Sequence, residues 1–222
     1  MYEMAKVLYL EASPRGDSSY SSRVAKEFLK AYQAKNPEDE VEVLSLFDAD
    51  LPTFSAQGAN QKMENIINLV SGGKGLEAEG EWAGVIRESD RLKSADKVVL
   101  SSPMWNFSIP YRLKHWIDVV TQPGVTFVVD VVDDAPVYTG LVTDKPLQMI
   151  LASGSPYEMR FPRETDGTKT DFQRAYLEHA FRFMGFSDMR LIKVQPTGIP
   201  GPDLEAAVVS SEAHAREAAL MF

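Results

Sequence analysis

Residues 13–22 read "SPRGDSSYSS", and the hydroxyls of Ser18, Ser19, Ser21 and Ser22 crowd the start of an amphipathic helical pattern. One serine is enough to cap a helix, because its oxygen accepts a bond from an orphan backbone N–H. Four hydroxyls together with free N–H groups and the positive end of the helix dipole make an anion site suited to a phosphate. A capped helix on a polar loop accounts for the same residues.

Residues 103–110, "PMWNFSIP", place an amide between two large aromatics on a loop bracketed by prolines. Trp105 and Phe107 are able to stack on a flat heterocycle while Asn106 and the backbone bond its polar edge; they are equally able to pack beneath the next helix. A third stretch, "SGSP" at 153–156, offers hydroxyl and N–H donors beside a glycine that permits close approach, or forms a plain turn.

These stretches gain meaning from the elements that carry them. Residues 6–10, 41–46, 97–102, 147–152 and 189–195 are short, rich in Val, Ile and Leu, and bounded by turn formers, as strands are. Most are continuous apolar runs, which predicts cover on both faces. Helical patterns lie between them. Ser21, Val24, Phe28 and Tyr32 share one face; so do Leu113, Trp116, Ile117 and Val120; and so do Phe172, Tyr176, Ala180 and Phe183. Strand alternating with helix implies an α/β fold, a five-stranded parallel sheet with helices on both faces in three layers. At 222 residues the chain reads as a single domain, 1–222. Residues 58–80 form a helical pattern broken by glycines, then a second helix runs to about Ser94. Beyond Val120, β-rich runs either side of "DDAP" suggest a hairpin or projecting loop.

In an open parallel sheet the ligand sits beyond the carboxyl ends of the strands. The three stretches come after the first, third and fourth strands, so they share that rim. Phosphate donors, a planar platform and edge donors together favour a mononucleotide with a flat aromatic head.

Composition removes several other classes. A formal net charge of −9 argues against nucleic-acid binding, which needs a concentrated basic surface. Zero cysteines exclude thiolate chemistry, Cys-ligated zinc and iron–sulfur clusters, so redox chemistry here requires a bound cofactor. The N-terminal stretch has neither the length of a membrane span nor a signal-peptide layout, which points to the cytoplasm and away from membranes. "GKGLEA" at 73–78 matches a loose dinucleotide pattern but comes after a helical run instead of a strand. His115, His179 and His214 lie far apart in helical patterns and read as structural or surface residues, with no metal site expected.

"SPRGDSSYS", "PMWNFSIPYRLKHWIDVV" and "GVTF" at Gly124–Phe127 resemble the FMN-dependent NADH-azoreductase family, flavodoxin-like quinone and azo-dye reductases. The resemblance covers nearly the whole chain, and its middle motif is the most specific. It implies FMN phosphate held by Ser13, Ser19, Tyr20 and Ser21, the isoalloxazine against Met104, Trp105, Asn106 and Phe107, and further contacts from Ser153, Gly154, Ser155 and Pro156. It implies NADH as electron donor, a quinone or azo acceptor, and chemistry carried by FMN without a catalytic side chain. A homodimer is implied by the same resemblance, with Phe127, Phe172 and Phe183 contributing to a substrate pocket partly made by the partner chain. Two departures stand out: Trp105 replaces a common Tyr, and "SGSP" replaces a common Ser-Arg-Gly-Gly, which removes an arginine. Ping-pong kinetics are expected if donor and acceptor share one ring face. Two rival readings remain, a flavodoxin-type FMN carrier that passes electrons to proteins and a non-flavin protein that binds another phosphate compound.

Overall fold

The computed structural model describes residues 4–133, 135–156 and 170–222. Five strands, β1 (Lys6–Glu11), β2 (Glu40–Ser45), β3 (Lys97–Pro103), β6 (Leu147–Ala152) and β7 (Met189–Val194), form one sheet in the order β2-β1-β3-β6-β7. All four pairings are parallel. A separate antiparallel hairpin joins β4 (Phe127–Val132) to β5 (Ala135–Gly140), as the β-rich runs around "DDAP" suggested.

Helices α1 (Tyr20–Lys35) and α6 (Pro202–Ala219) cover one face of the sheet. Helices α3 (Gly80–Ser94), α4 (Tyr111–Val120) and α5 (Phe172–Met184) cover the other, with α2 (Ala56–Val70) leaning on α3. This is the three-layer architecture expected from the alternation. The interior strands β1, β3 and β6 are buried almost throughout, whereas β2 and β7 at the two edges are only half covered. Apolar runs at a sheet edge therefore overstate burial: an edge strand has a neighbour on one side only.

The buried faces of α1 and α4 are the expected ones. For α5 the expected face is displaced. Gln173, Leu177, Ala180, Phe181 and Met184 face the core, while Phe172 is exposed and Tyr176 and Phe183 lie on the flank. Neighbouring residues on a helix differ by about 100°, so two overlapping apolar stripes are hard to rank from spacing alone. The flanking aromatics serve other elements. Phe183 joins Phe127 and Tyr138 of the hairpin, with ring centroids 4.7 Å and 5.5 Å away.

Two devices hold the hairpin and α2 where the sheet ends. At the hairpin base, a Cβ on Gly140 would lie 2.3 Å from the Gly185 nitrogen, so the chain passes α5's C-terminus only as glycine. Gly185 itself sits at φ 119° as the helix C-cap. On α2, buried Asn65 donates to the Pro123 carbonyl at 2.8 Å and accepts from the Leu76 amide at 3.0 Å, tying the helix to "GVTF" and to the glycine-rich loop after it.

The first turn of α2 is capped from α3. Glu81 accepts from Ser55 N at 3.0 Å, Ser55 Oγ at 2.5 Å and Gly58 N at 2.9 Å. The Ser55 bonds hold its carboxyl below its ordinary 4.5. A carboxyl with a depressed folded-state pKa stabilises the fold above its unfolded value and loses that contribution as pH falls through the lowered one. Urea unfolding of the natural protein and E81Q across a pH series should show a stability gap that is constant near neutrality and closes on acidification. A gap that persists in acid contradicts this role.

Candidate functional site

Strands β1 and β3 are neighbours, yet the chain leaves β1 toward β2 on one side and later returns to β3 on the other. The crevice beyond their carboxyl ends is the topological switch point. All three stretches singled out in the sequence meet there. Ser13, Ser19, Tyr20, Met104, Trp105, Ser153 and Gly154 line one cavity of about 180 Å³, joined by Arg15 and Thr197. A second, wider cavity of about 980 Å³ shares Trp105 and is walled by Phe54, Asn106, Ile109 and Tyr176 among others.

The narrow cavity is lined by hydroxyl, amide and guanidinium groups. Gly16 at φ 50° turns the chain into a short 3-10 turn, Gly16–Ser18, and Ser19 then caps α1 by accepting from Ser22 N at 3.5 Å. Arg23 N already bonds the Ser19 carbonyl, so the amides of Tyr20 and Ser21 belong to the helix's open first turn. Ser13 is buried, with its Oγ accepting from Arg15 N at 3.3 Å. Arg15 lies over the Tyr20 ring, its Cζ 5.9 Å from the centroid, and adds a full positive charge at the cavity.

The serine cluster divides. Ser13 and Ser19 line the cavity, whereas Ser21 and Ser22 are buried in the helix interface and Ser18 is exposed. Ser21 reaches Ser19 Oγ at 3.2 Å. Beneath them the Tyr9 phenol bonds Ser101 Oγ at 2.8 Å, and burial pushes it far above its ordinary value. Hydroxyl count alone therefore overstates the donors available to a ligand.

The aromatic loop is a closed turn. Trp105 N donates to Ser108 O at 3.0 Å and Ser108 N to Trp105 O at 2.9 Å, with Asn106 at φ 47° and Phe107 at φ 69° between them. Two central residues at positive φ define a type I′ geometry. Asparagine tolerates that region, but a phenylalanine there stores backbone strain of roughly 1–3 kcal/mol. The turn is pinned at its far side by Phe172 N donating to Phe107 O at 3.0 Å. Trp105 and Phe107 remain 36% and 43% exposed, so neither packs beneath α4. Trp105 instead leans on Phe47 and Tyr111, with centroids 5.6 Å and 6.2 Å away.

The loop after β6 differs from the donor set expected of it. Ser153 Oγ donates within the protein, 3.0 Å from both Ser155 O and Gln195 Oε1, while the Ser153 carbonyl accepts from Thr197. Gly154 reaches the cavity edge. Ser155 turns toward a small neighbouring pocket with Pro196 and Ile199.

The sequence profile of the family described as "Flavodoxin-like fold" matches residues 5–219. An FMN-dependent NADH:quinone oxidoreductase of Nitratidesulfovibrio vulgaris is 43% identical over 99% of this chain and 100% of its own length. The chain belongs to this flavodoxin-like oxidoreductase family. A namesake from Desulfotalea psychrophila is 39% identical over 87% of this chain and 86% of its own. Among solved structures, an azoreductase from Bacillus anthracis superposes with a TM-score of 0.77 at 25% identity, covering 99% of this chain and 100% of that one. An FMN-dependent NADH-azoreductase from the same species, in complex with FMN, gives 0.72 at 26% identity over 97% and 100%.

The three aromatics expected to contribute to a pocket shared with a partner chain occupy the hairpin side of the rim. Phe127 and Phe183 belong to the hairpin cluster and Phe172 is exposed beside Phe107, while Tyr176 of α5 walls the wide cavity. Arg15 and Thr197 line the narrow cavity and Lys62 the wide one, and sequence reasoning singled out none of them. Thr197 lies in the loop after the fifth strand of the sheet, on the same rim as the other three loops, and that position is a signal in the sequence. Nothing in the pattern of α2 marks Lys62.

The exposure of the loop aromatics has a measurable consequence. F107A should change the unfolding free energy of the ligand-free protein by less than about 1 kcal/mol, whereas W116A should cost about 3–5 kcal/mol, since Trp116 is fully buried. Similar losses for both would return Phe107 to the core.

Proposed function

We propose that this chain is an NADH-driven reductase of quinones and azo compounds that works with FMN. The observation that carries the reading is the pair of adjoining cavities at the β1/β3 switch point, one lined by phosphate donors and the other wide, aromatic and open, with Trp105 common to both. The donor set fits FMN. Ser13, Arg15, Ser19 and the first amides of α1 would hold the phosphate, and the 104–107 turn would face the ring, with Gly154 and the rest of the 153–156 loop at its edge. When bound, FMN takes two electrons from NADH and passes them to the acceptor.

The chain's own residues position and shield. The Trp105–Ser108 turn would hold Trp105 and Asn106 at the ring, with Asn106 at φ 47°. Helix α1 and Arg15 neutralise phosphate charge that an acidic chain would otherwise repel. The width of the larger cavity suits alternate entry of donor and acceptor, which supports ping-pong kinetics and favours an enzyme over a carrier protein.

The same reading takes residues 1–222 as one domain, the cytoplasm as the place of work and a homodimer as the active form. Exposed Val131 and Tyr138 on the hairpin and Met63 and Ile67 on α2 support a partner interface there, to which Phe127, Phe172 and Phe183 would contribute. Among the described residues no helix is long and apolar enough to cross a membrane. Net charge speaks against nucleic-acid partners.

Purified protein should be yellow, or take up added FMN, bleach with NADH under anaerobic conditions and recover its colour with benzoquinone. Double-reciprocal plots should be parallel; intersecting lines with a trapped ternary complex would exclude alternate occupancy. R15A should weaken FMN roughly tenfold or more, the scale of a charge-assisted hydrogen bond, and leave riboflavin, which lacks the phosphate, nearly unaffected. Equal loss for both ligands would remove Arg15 from the phosphate site.

A further inference from the structure

Four groups in the wide cavity bear on its charge: Lys62, Lys114, His115 and Asp118. Asp118 is committed to Lys114, whose Nζ lies 2.6 Å and 2.7 Å from its two oxygens. Burial opposes the Lys114 charge most strongly of any single cause, but Asp118 and Tyr176 together hold the ammonium above its ordinary value. His115 Nε2 is 2.9 Å from the Pro52 carbonyl. Lys62 on α2 has no such arrangement. Among the described residues no carboxylate forms an ion pair with it; burial lowers its pKa, and the charge of Asp118 acts to raise it.

Among the described residues the cavity therefore holds two lysines against one carboxylate, in a chain whose net charge is −9. A half-buried ammonium without a counterion is costly unless something anionic completes it. The surrounding walls, Phe54, Trp105, Ile109 and Tyr176, suit a flat aromatic body. From this arrangement we infer that Lys62 binds the anionic substituent, a carboxylate or sulfonate, of an aromatic electron acceptor in the wide cavity. The assignment rests on the oxidoreductase reading and narrows its substrate class. The diphosphate of NADH offers the same chemistry, and the test separates the two sources.

K62Q should lower kcat/KM for a naphthoquinone sulfonate about tenfold relative to unsubstituted naphthoquinone. That is the low end expected for a charge-assisted contact partly open to solvent. K62R should restore most of the preference, and added salt should erode it in the natural protein. KM for NADH should move little. Calorimetry with naphthalene sulfonate, which cannot be reduced, supplies a second readout: binding to the protein as purified should weaken about tenfold in K62Q. Equal losses on charged and neutral quinones overturn the assignment, as does a selective rise in KM for NADH, which would give the cation to the donor. Unchanged sulfonate binding in K62Q overturns it as well. Because that comparison needs no turnover, failure of the flavin reading would show separately, as protein that neither takes up FMN nor oxidises NADH.

Discussion

The parallel pairing of β1 with β3 is the constraint on which the remaining structure depends. Register runs from Val7 opposite Lys97 to Glu11 opposite Ser101, and Ala12 N extends it by one more bond to Ser101 O at 2.9 Å. β1 therefore ends beside Ser101, and β3 runs on to Pro103 along β6. The serine turn and the aromatic turn leave them side by side, although the whole of β2, α2 and α3 separates them in sequence. A parallel pair requires a long crossover, so the two turns become neighbours only through the connection that packs on the sheet between them. Core burial on both faces thus sets the geometry of a rim that is itself largely solvent-facing.

That division of labour explains where strain and exposure are tolerated. Phe28, Trp82, Trp116 and Phe181 are fully buried and fix the layers. Asn106 and Phe107 instead occupy left-handed backbone on the rim, held by the Trp105–Ser108 pair and by α5. An unfavourable turn of this kind persists only where its surroundings over-determine it. Its place beside the switch-point cavities puts it on the rim and not in the core.

Electrostatics obey the same local logic. The chain is acidic overall, yet Arg15 lies at the narrow cavity and Lys62 and Lys114 at the wide one. Net charge governs long-range behaviour such as nucleic-acid avoidance, while a cleft with apolar walls responds to the few charges that line it. Each of the two cavities thus carries basic side chains on an otherwise acidic chain.

Much of this was legible from residue order. Apolar runs and 3.6-residue periodicity determined the strands, the parallel class of the sheet and the buried faces of α1 and α4, because those patterns reflect repeating geometry. The loop stretches after β1, β3 and β6 were identifiable because turn formers and polar residues there have no role in a core. Only tertiary structure decided which serines face the cavity, that Ser153 is consumed by Gln195, that α5 turns Phe181 and not Phe183 inward, and that α2 brings Lys62 to the wide cavity. Local periodicity specifies that a face will be buried. The choice of partner depends on contacts between residues far apart in the chain, and no local pattern encodes those.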